Sequence, residues 1–158
     1  MLTVRQATAK VYVDGEVRGT AWLFSEQYAL TAAHCVGDRR NRELFRALPR
    51  LEFPFGPVDS NVLRCDFALD VALLRIAGRL MGPEHLRVGV LAYLDPLPQG
   101  ADALYWHAHC FPRAHPSGML LTGRIVSRSG NVDGQPAIEL LCEQGGQGFL
   151  DGASGAAV

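Results

Sequence analysis

Apolar and polar positions along this chain fall into short β-forming runs separated by turn residues, and stretches with helical periodicity are scarce. Val11-Tyr12-Val13, the pair Asp14-Gly15 and the run 17–24 predict two strands around a tight turn, because Asp-Gly tolerates the positive φ angles of a hairpin. A short third strand follows over 28–31. Residues 37–41 form a turn-like basic stretch, and 44–53, 58–64 and 71–76 supply three more strands, completing a six-stranded unit. Residues 42–48 could form a turn or two of helix, which Pro49 stops.

From 78 to 100 the chain carries Gly, Pro and few periodic apolar positions, so a connection is placed there. A second β unit then begins near Ala103, with strands expected over 103–110, 120–129 and 137–142 and another starting at Gly155. The organisation expected is a first β unit over 1–77, a connection over 78–102 and a second β unit over 103–158.

Composition narrows the class. With 158 residues, 48% hydrophobic and 20% charged, the chain can bury a substantial core. A formal net charge of −1 gives no reason to expect nucleic acid or an anionic membrane as partner. Arg39, Arg40, Arg42, Arg46 and Arg50 are interspersed with Asp38 and Glu43, the pattern of a solvated face. The start of the chain lacks the basic and apolar segments of a secretory signal, and no apolar run reaches membrane-spanning length, so a cytoplasmic location is expected. Fourteen of the fifteen basic residues are Arg, which suits a GC-rich genome.

Three separated segments carry the candidate chemistry. Ala29-Leu30-Thr31-Ala32-Ala33-His34-Cys35 comes first, Asp70-Val71-Ala72-Leu73-Leu74 second, and Gly152-Ala153-Ser154-Gly155 last. A Ser hydroxyl is a poor nucleophile at neutral pH and needs an adjacent base, a role suited to an imidazole that titrates in that range. A carboxylate can orient that imidazole and stabilise its charged form. Spacing alone leaves Asp66, four residues before Asp70, as an alternative carboxylate.

Together with Gly19-Thr20-Ala21-Trp22-Leu23-Phe24, these segments, in the order His, Asp, Ser, resemble the trypsin-like, chymotrypsin-fold serine peptidases from about Ala7 to Val158. The resemblance implies an all-β fold of two six-stranded antiparallel barrels with the site between them. It implies a catalytic triad of His34, Asp70 and Ser154, and an oxyanion hole from the backbone N–H groups of Gly152 and Ser154. Gly148, Phe149 and Leu150 would line an uncharged substrate pocket, since the position where an acidic residue gives basic specificity is Gly148. The acidic residue that often precedes the nucleophile is replaced by Ala153, which excludes activation through an ion pair there, and a Gly common two residues after it is replaced by Ala156.

The chain ends four residues after Ser154, so the second barrel is expected to be incomplete, finished by the remainder of the same protein or by a regulatory partner that covers its open edges. In secreted relatives the Cys after the His is bridged to an earlier Cys; no Cys precedes Cys35, which favours a reducing compartment. His107, His109, Cys110, His115 and Cys142 are of metal-ligand type, and His107 and His109 share one face of a strand. That segment matches the family's first strand of the second barrel, followed by a Phe111-Pro112 turn, so no metal is assigned. The function expected is a bacterial serine endopeptidase acting on protein or peptide without a cofactor, as the protease module of a larger protein. The alternative is a catalytically inactive peptidase-like binding or scaffold module.

Overall fold

The computed structural model describes residues 5–78, 80, 105–112, 115–132 and 134–143. Strands β1 (Thr8–Val13), β2 (Glu16–Leu23) and β3 (Tyr28–Thr31) are followed by a 3-10 turn at Ala33–Cys35. Next come β4 (Gly37–Asp38), β5 (Glu43–Leu44), β6 (Arg50–Phe53), β7 (Gly56–Asp66) and β8 (Val71–Ile76). The later part contains β9 (Tyr105–Cys110), β10 (Met119–Val132) and β11 (Gln135–Cys142).

Six of these strands close an antiparallel barrel in the order β1-β2-β3-β8-β7-β6, the last pairing back onto β1. Its interior follows the two-residue period of the sequence: Ala9, Val11 and Val13 on β1, Ala21 and Leu23 on β2, Leu51 and Phe53 on β6, and Ala72, Leu74 and Ile76 on β8 are all buried. Ala29 and Thr31 do the same on β3. Burying each Val or Leu contributes about 1.5–3 kcal/mol, so this one interior supplies most of the barrel's stability. Small residues cluster in a belt, where Ala9 pairs with Ala21, Ala21 with Thr31 and Thr31 with Ala72. The Thr31 hydroxyl donates to the Thr20 carbonyl at 2.7 Å, and the Ser60 hydroxyl to the Pro49 carbonyl at 2.7 Å, so these two buried hydroxyls are satisfied.

The hairpin between β1 and β2 forms at Asp14-Gly15 with φ of 53° and 79°, the double positive φ that this pair tolerates. The strand expected as one piece over 44–53 is broken in two. Glu43–Leu44 pairs with Gly37–Asp38 outside the barrel, and only Arg50–Phe53 enters it. No helix forms over 42–48. Arg42 is left-handed at φ 55°, and the Phe45 N–H donates to the Val36 carbonyl at 3.0 Å while Phe45 and Ala47 pack on the core. Tertiary burial of those two side chains overrides a weak local helical preference.

β9, β10 and β11 form a three-stranded antiparallel sheet around Trp106, Ala108, Cys110 and Leu121. Where a second six-stranded barrel is expected, over 103–158, the described residues contain this three-stranded sheet; the strand expected from Gly155 lies outside them, as does most of the connection over 78–102. Gly123 on β10 is pressed between neighbours, since a Cβ there would lie 1.8 Å from the Leu141 carbonyl oxygen and 2.8 Å from the Trp106 indole. The sheet is tied to the barrel where the Phe111 N–H donates to Thr20 Oγ1 at 3.2 Å and Lys10 Nζ sits 5.5 Å from the Phe111 ring centre.

Leu74 is fully buried in the middle of the barrel. Leu74→Ala is expected to lower unfolding free energy by about 2–5 kcal/mol through lost burial and the cavity left behind, as read from a denaturant melt.

Candidate active site

Strand register brings the first two candidate residues together. β3 and β8 are antiparallel neighbours with Thr31 opposite Ala72, so the residues that follow Thr31 and those that precede Val71 leave the barrel at one end. Ala32 is extended, the chain then tightens into the 3-10 turn, and His34 projects from it with its side chain 39% exposed.

Asp70 holds that turn at three points. Its backbone carbonyl accepts from the Ala33 N–H at 3.1 Å and its Oδ1 from the His34 N–H at 3.0 Å. Its Oδ2 lies 2.7 Å from His34 Nδ1. With Nδ1 carrying the proton donated to this carboxylate, the imidazole is locked in one tautomer and one orientation, and Nε2 is left as the basic nitrogen. Asp70 adopts a left-handed φ of 53°, a conformation that Asp takes up more readily than other side-chain-bearing residues.

The alternative carboxylate is committed elsewhere. Asp66 Oδ1 accepts from the N–H groups of Ala68 at 2.9 Å and Leu69 at 3.0 Å, capping the turn between β7 and β8. His34 is thus paired with Asp70, a choice the spacing of the two residues left open.

Two further features of the site went unread in the sequence. Thr31 hydrogen-bonds the Cys35 thiol under the His34 turn, and Gly37 lets Phe67 approach, since a Cβ at Gly37 would lie 2.7 Å from the Phe67 ring and 2.6 Å from the Glu43 carbonyl oxygen. The usable signals were a Thr on the inward face of β3 and an Asp set to cap the turn before Asp70. Burial pushes the Cys35 thiol up to about 11, against the lowering effect of the Thr31 hydrogen bond. The Cys65 thiol is raised too, first by burial and then by the charges of Asp66 and Asp70. None of the four cysteines is in a disulfide.

Ser154, Gly152 and the pocket positions Gly148, Phe149 and Leu150 lie outside the described residues. Among the described residues no group of three or more His, Cys, Asp and Glu is placed to hold a metal ion. His107 is exposed, whereas His109 is buried edge-on against Phe111, with Gly118 so close that a Cβ there would lie 2.6 Å from the ring. Burial, and then the charge of Arg5, lower the basicity of His109. Among the described residues no helix is long and apolar enough to cross a membrane.

A family model for a trypsin-like peptidase domain matches residues 19–158. Among solved structures the chain is similar to the HtrA-type protease AlgW with a decapeptide, at 17% identity and TM-score 0.71 over 97% of this chain and 52% of that one. It is also similar to a Ser-to-Ala mutant of Rv3671c from M. tuberculosis H37Rv in its inactive form, at 15% identity and TM-score 0.62 over 97% of this chain and 68% of that one. A third similar structure is Deg5, at 17% identity and TM-score 0.63 over 96% of this chain and 73% of that one. The chain spans about half the length of the AlgW chain, and at these identities the likeness shows the fold, which is chymotrypsin-like. Comparison with curated proteins finds no match.

Because Cys35 and Cys110 are fully buried and Cys65 and Cys142 are only half-buried, a thiol reagent added to the folded protein is expected to modify the second pair first, as located by peptide mass mapping. The raised Cys35 value also sets a sign. The unfolded thiol ionises near 9.0 while the folded one holds its proton to about 11, so this contribution to stability is complete below 9.0 and is lost as pH rises toward 11. Denaturant midpoints taken across that range should fall, and fall less in Cys35→Ala.

Proposed function

The chain is a member of the trypsin-like peptidase domain family, and from that premise we propose that it is a serine endopeptidase in which His34, Asp70 and Ser154 form the triad. The observation that carries this reading is the 2.7 Å contact between His34 Nδ1 and Asp70 Oδ2, made while the same carboxylate also accepts from the His34 backbone. A histidine that serves only packing has no need of a carboxylate fixing both its ring and its main chain.

In this mechanism Nε2 of His34 takes the proton of the Ser154 hydroxyl as that oxygen attacks a peptide carbonyl carbon, and then gives the proton to the leaving amine. Asp70 stays ionised and stabilises the imidazolium through the Nδ1 hydrogen bond. The acyl group on Ser154 is released by water, with His34 again acting as base. The N–H groups of Gly152 and Ser154 serve the oxyanion of each tetrahedral intermediate, a role worth about 3–4 kcal/mol per donor in a serine protease of unrelated fold.

Protein or peptide is the substrate class that the family implies. Gly148, Phe149 and Leu150 are assigned to an uncharged pocket for the residue before the scissile bond. A place as the protease module of a larger cytoplasmic protein, bacterial in origin, is part of the same reading.

A fluorophosphonate probe is expected to label the protein, with labelling abolished in Ser154→Ala and reduced at least 100-fold in His34→Ala, consistent with the large losses that follow removal of a triad member. Absence of labelling in the folded protein would replace this reading with a binding module that keeps the fold without turnover.

A further inference from the structure

We propose that Asp66 is a positioning residue for the His34–Asp70 pair, holding Asp70 in the left-handed backbone conformation from which its carboxylate reaches the imidazole. This inference rests on the reading of that pair as catalytic, and it deepens that reading by naming a residue that acts on the chemistry without touching it.

The geometry has three parts. Asp66 ends β7 directly opposite Val71, which begins β8, so only residues 67–70 bridge the two strands. Within that short connection Asp70 takes φ 53°, a left-handed conformation uncommon for non-glycine residues, though Asp adopts it more readily than most. The Asp66 carboxylate restrains the connection from inside, with Oδ1 accepting from Ala68 N–H and Leu69 N–H in the two positions leading into Asp70. Phe67 anchors the same connection against Gly37, three residues after His34, so the turn is docked on the segment that it serves.

Asp70 itself bonds to Ala33 and His34. Those bonds share one geometric requirement, because all depend on the same backbone placement of Asp70. If 67–70 relaxes toward ordinary negative φ, the carboxylate swings away and all of them weaken together. The cap at Asp66 supplies a restraint independent of His34. It works through an oxygen acceptor at a fixed distance from its own backbone, so the acceptor's position matters and its charge does not.

That distinction sets the experiment. Asp66→Ala removes the acceptor, Asp66→Asn keeps an oxygen in place without charge, and Asp66→Glu keeps the charge but displaces the oxygens by one methylene. In the full chain, two readouts are compared for each: the strongly deshielded proton NMR signal of the His34 Nδ1–H hydrogen bond, and kcat and KM on a fluorogenic peptide. The expected result is that Ala and Glu broaden or abolish the NMR signal and lower kcat by about 10- to 100-fold with KM unchanged, the scale of loss from misplacing a catalytic group by about 1 Å. Asn is expected to restore both readouts to within about twofold of the original protein, in line with retention of the cap.

Full rescue by Glu together with failure by Asn overturns the proposal in favour of a simple charge effect, and an unchanged NMR signal in Asp66→Ala overturns it outright. If Asp66→Ala does not fold, the Asn and Glu pair decides alone. If the original protein shows the NMR signal but cleaves nothing, the peptidase reading fails, while the response of that signal to the three substitutions still decides the role of Asp66.

Discussion

The meeting of His34 with Asp70 depends on the register between β3 and β8. Thr31 opposite Ala72 places the end of one strand beside the start of the other, and two short turns then need to reach only a few ångströms toward each other. A slip of two residues would preserve every inward-facing side chain and still carry the imidazole about 7 Å from its carboxylate, using the rise of a strand. Register is therefore as much a part of the site as the residues themselves. What the barrel buries excludes odd slips, since Ala29 and Thr31 must stay inside with Ala72 and Leu74 and a one-residue slip would turn one strand inside out relative to the other.

The barrel gives this end of the molecule a stiff foundation. Closure through β1 and β6 removes the open edges that a six-stranded sheet would present, and the belt of small residues lets backbones come close beneath the His34 turn. Thr31 connects that belt to the site. Its hydroxyl bonds to the Thr20 carbonyl, and it also meets the buried Cys35 thiol directly after His34. On β2, Thr20 reaches the other way, accepting the Phe111 N–H and so joining the barrel to the three-stranded sheet. A threonine pair at the barrel wall thus links the two parts of the fold below the candidate catalytic pair.

Strands were the most legible part of the chain. The runs at 28–31 and 71–76 match β3 and β8, and the Asp14-Gly15 turn forms the hairpin its chemistry favours. The stretch 42–53 was read least well. A short amphipathic segment ahead of Pro49 has a helical appearance, but Phe45 and Ala47 are drawn onto the core and the Gly37–Asp38 strand supplies a partner for Glu43–Leu44. Contacts between residues distant from the helix-like window made that choice, and no local pattern encodes them.

Period-two alternation and the turn pairs determined by themselves that the chain is β-rich with six strands in its first part, because burial of alternate side chains and the φ preferences of Asp and Gly act over a few residues; the motifs carried the resemblance to trypsin-like peptidases that the family match bears out. Tertiary structure alone decided between two carboxylates four residues apart. Asp66 and Asp70 are equivalent as residue types, yet one uses Oδ1 to cap an exposed loop and the other reaches His34 from a left-handed backbone. That division is set by a strand pairing spanning some forty positions of chain, and a separation of that kind leaves no periodic trace in the sequence.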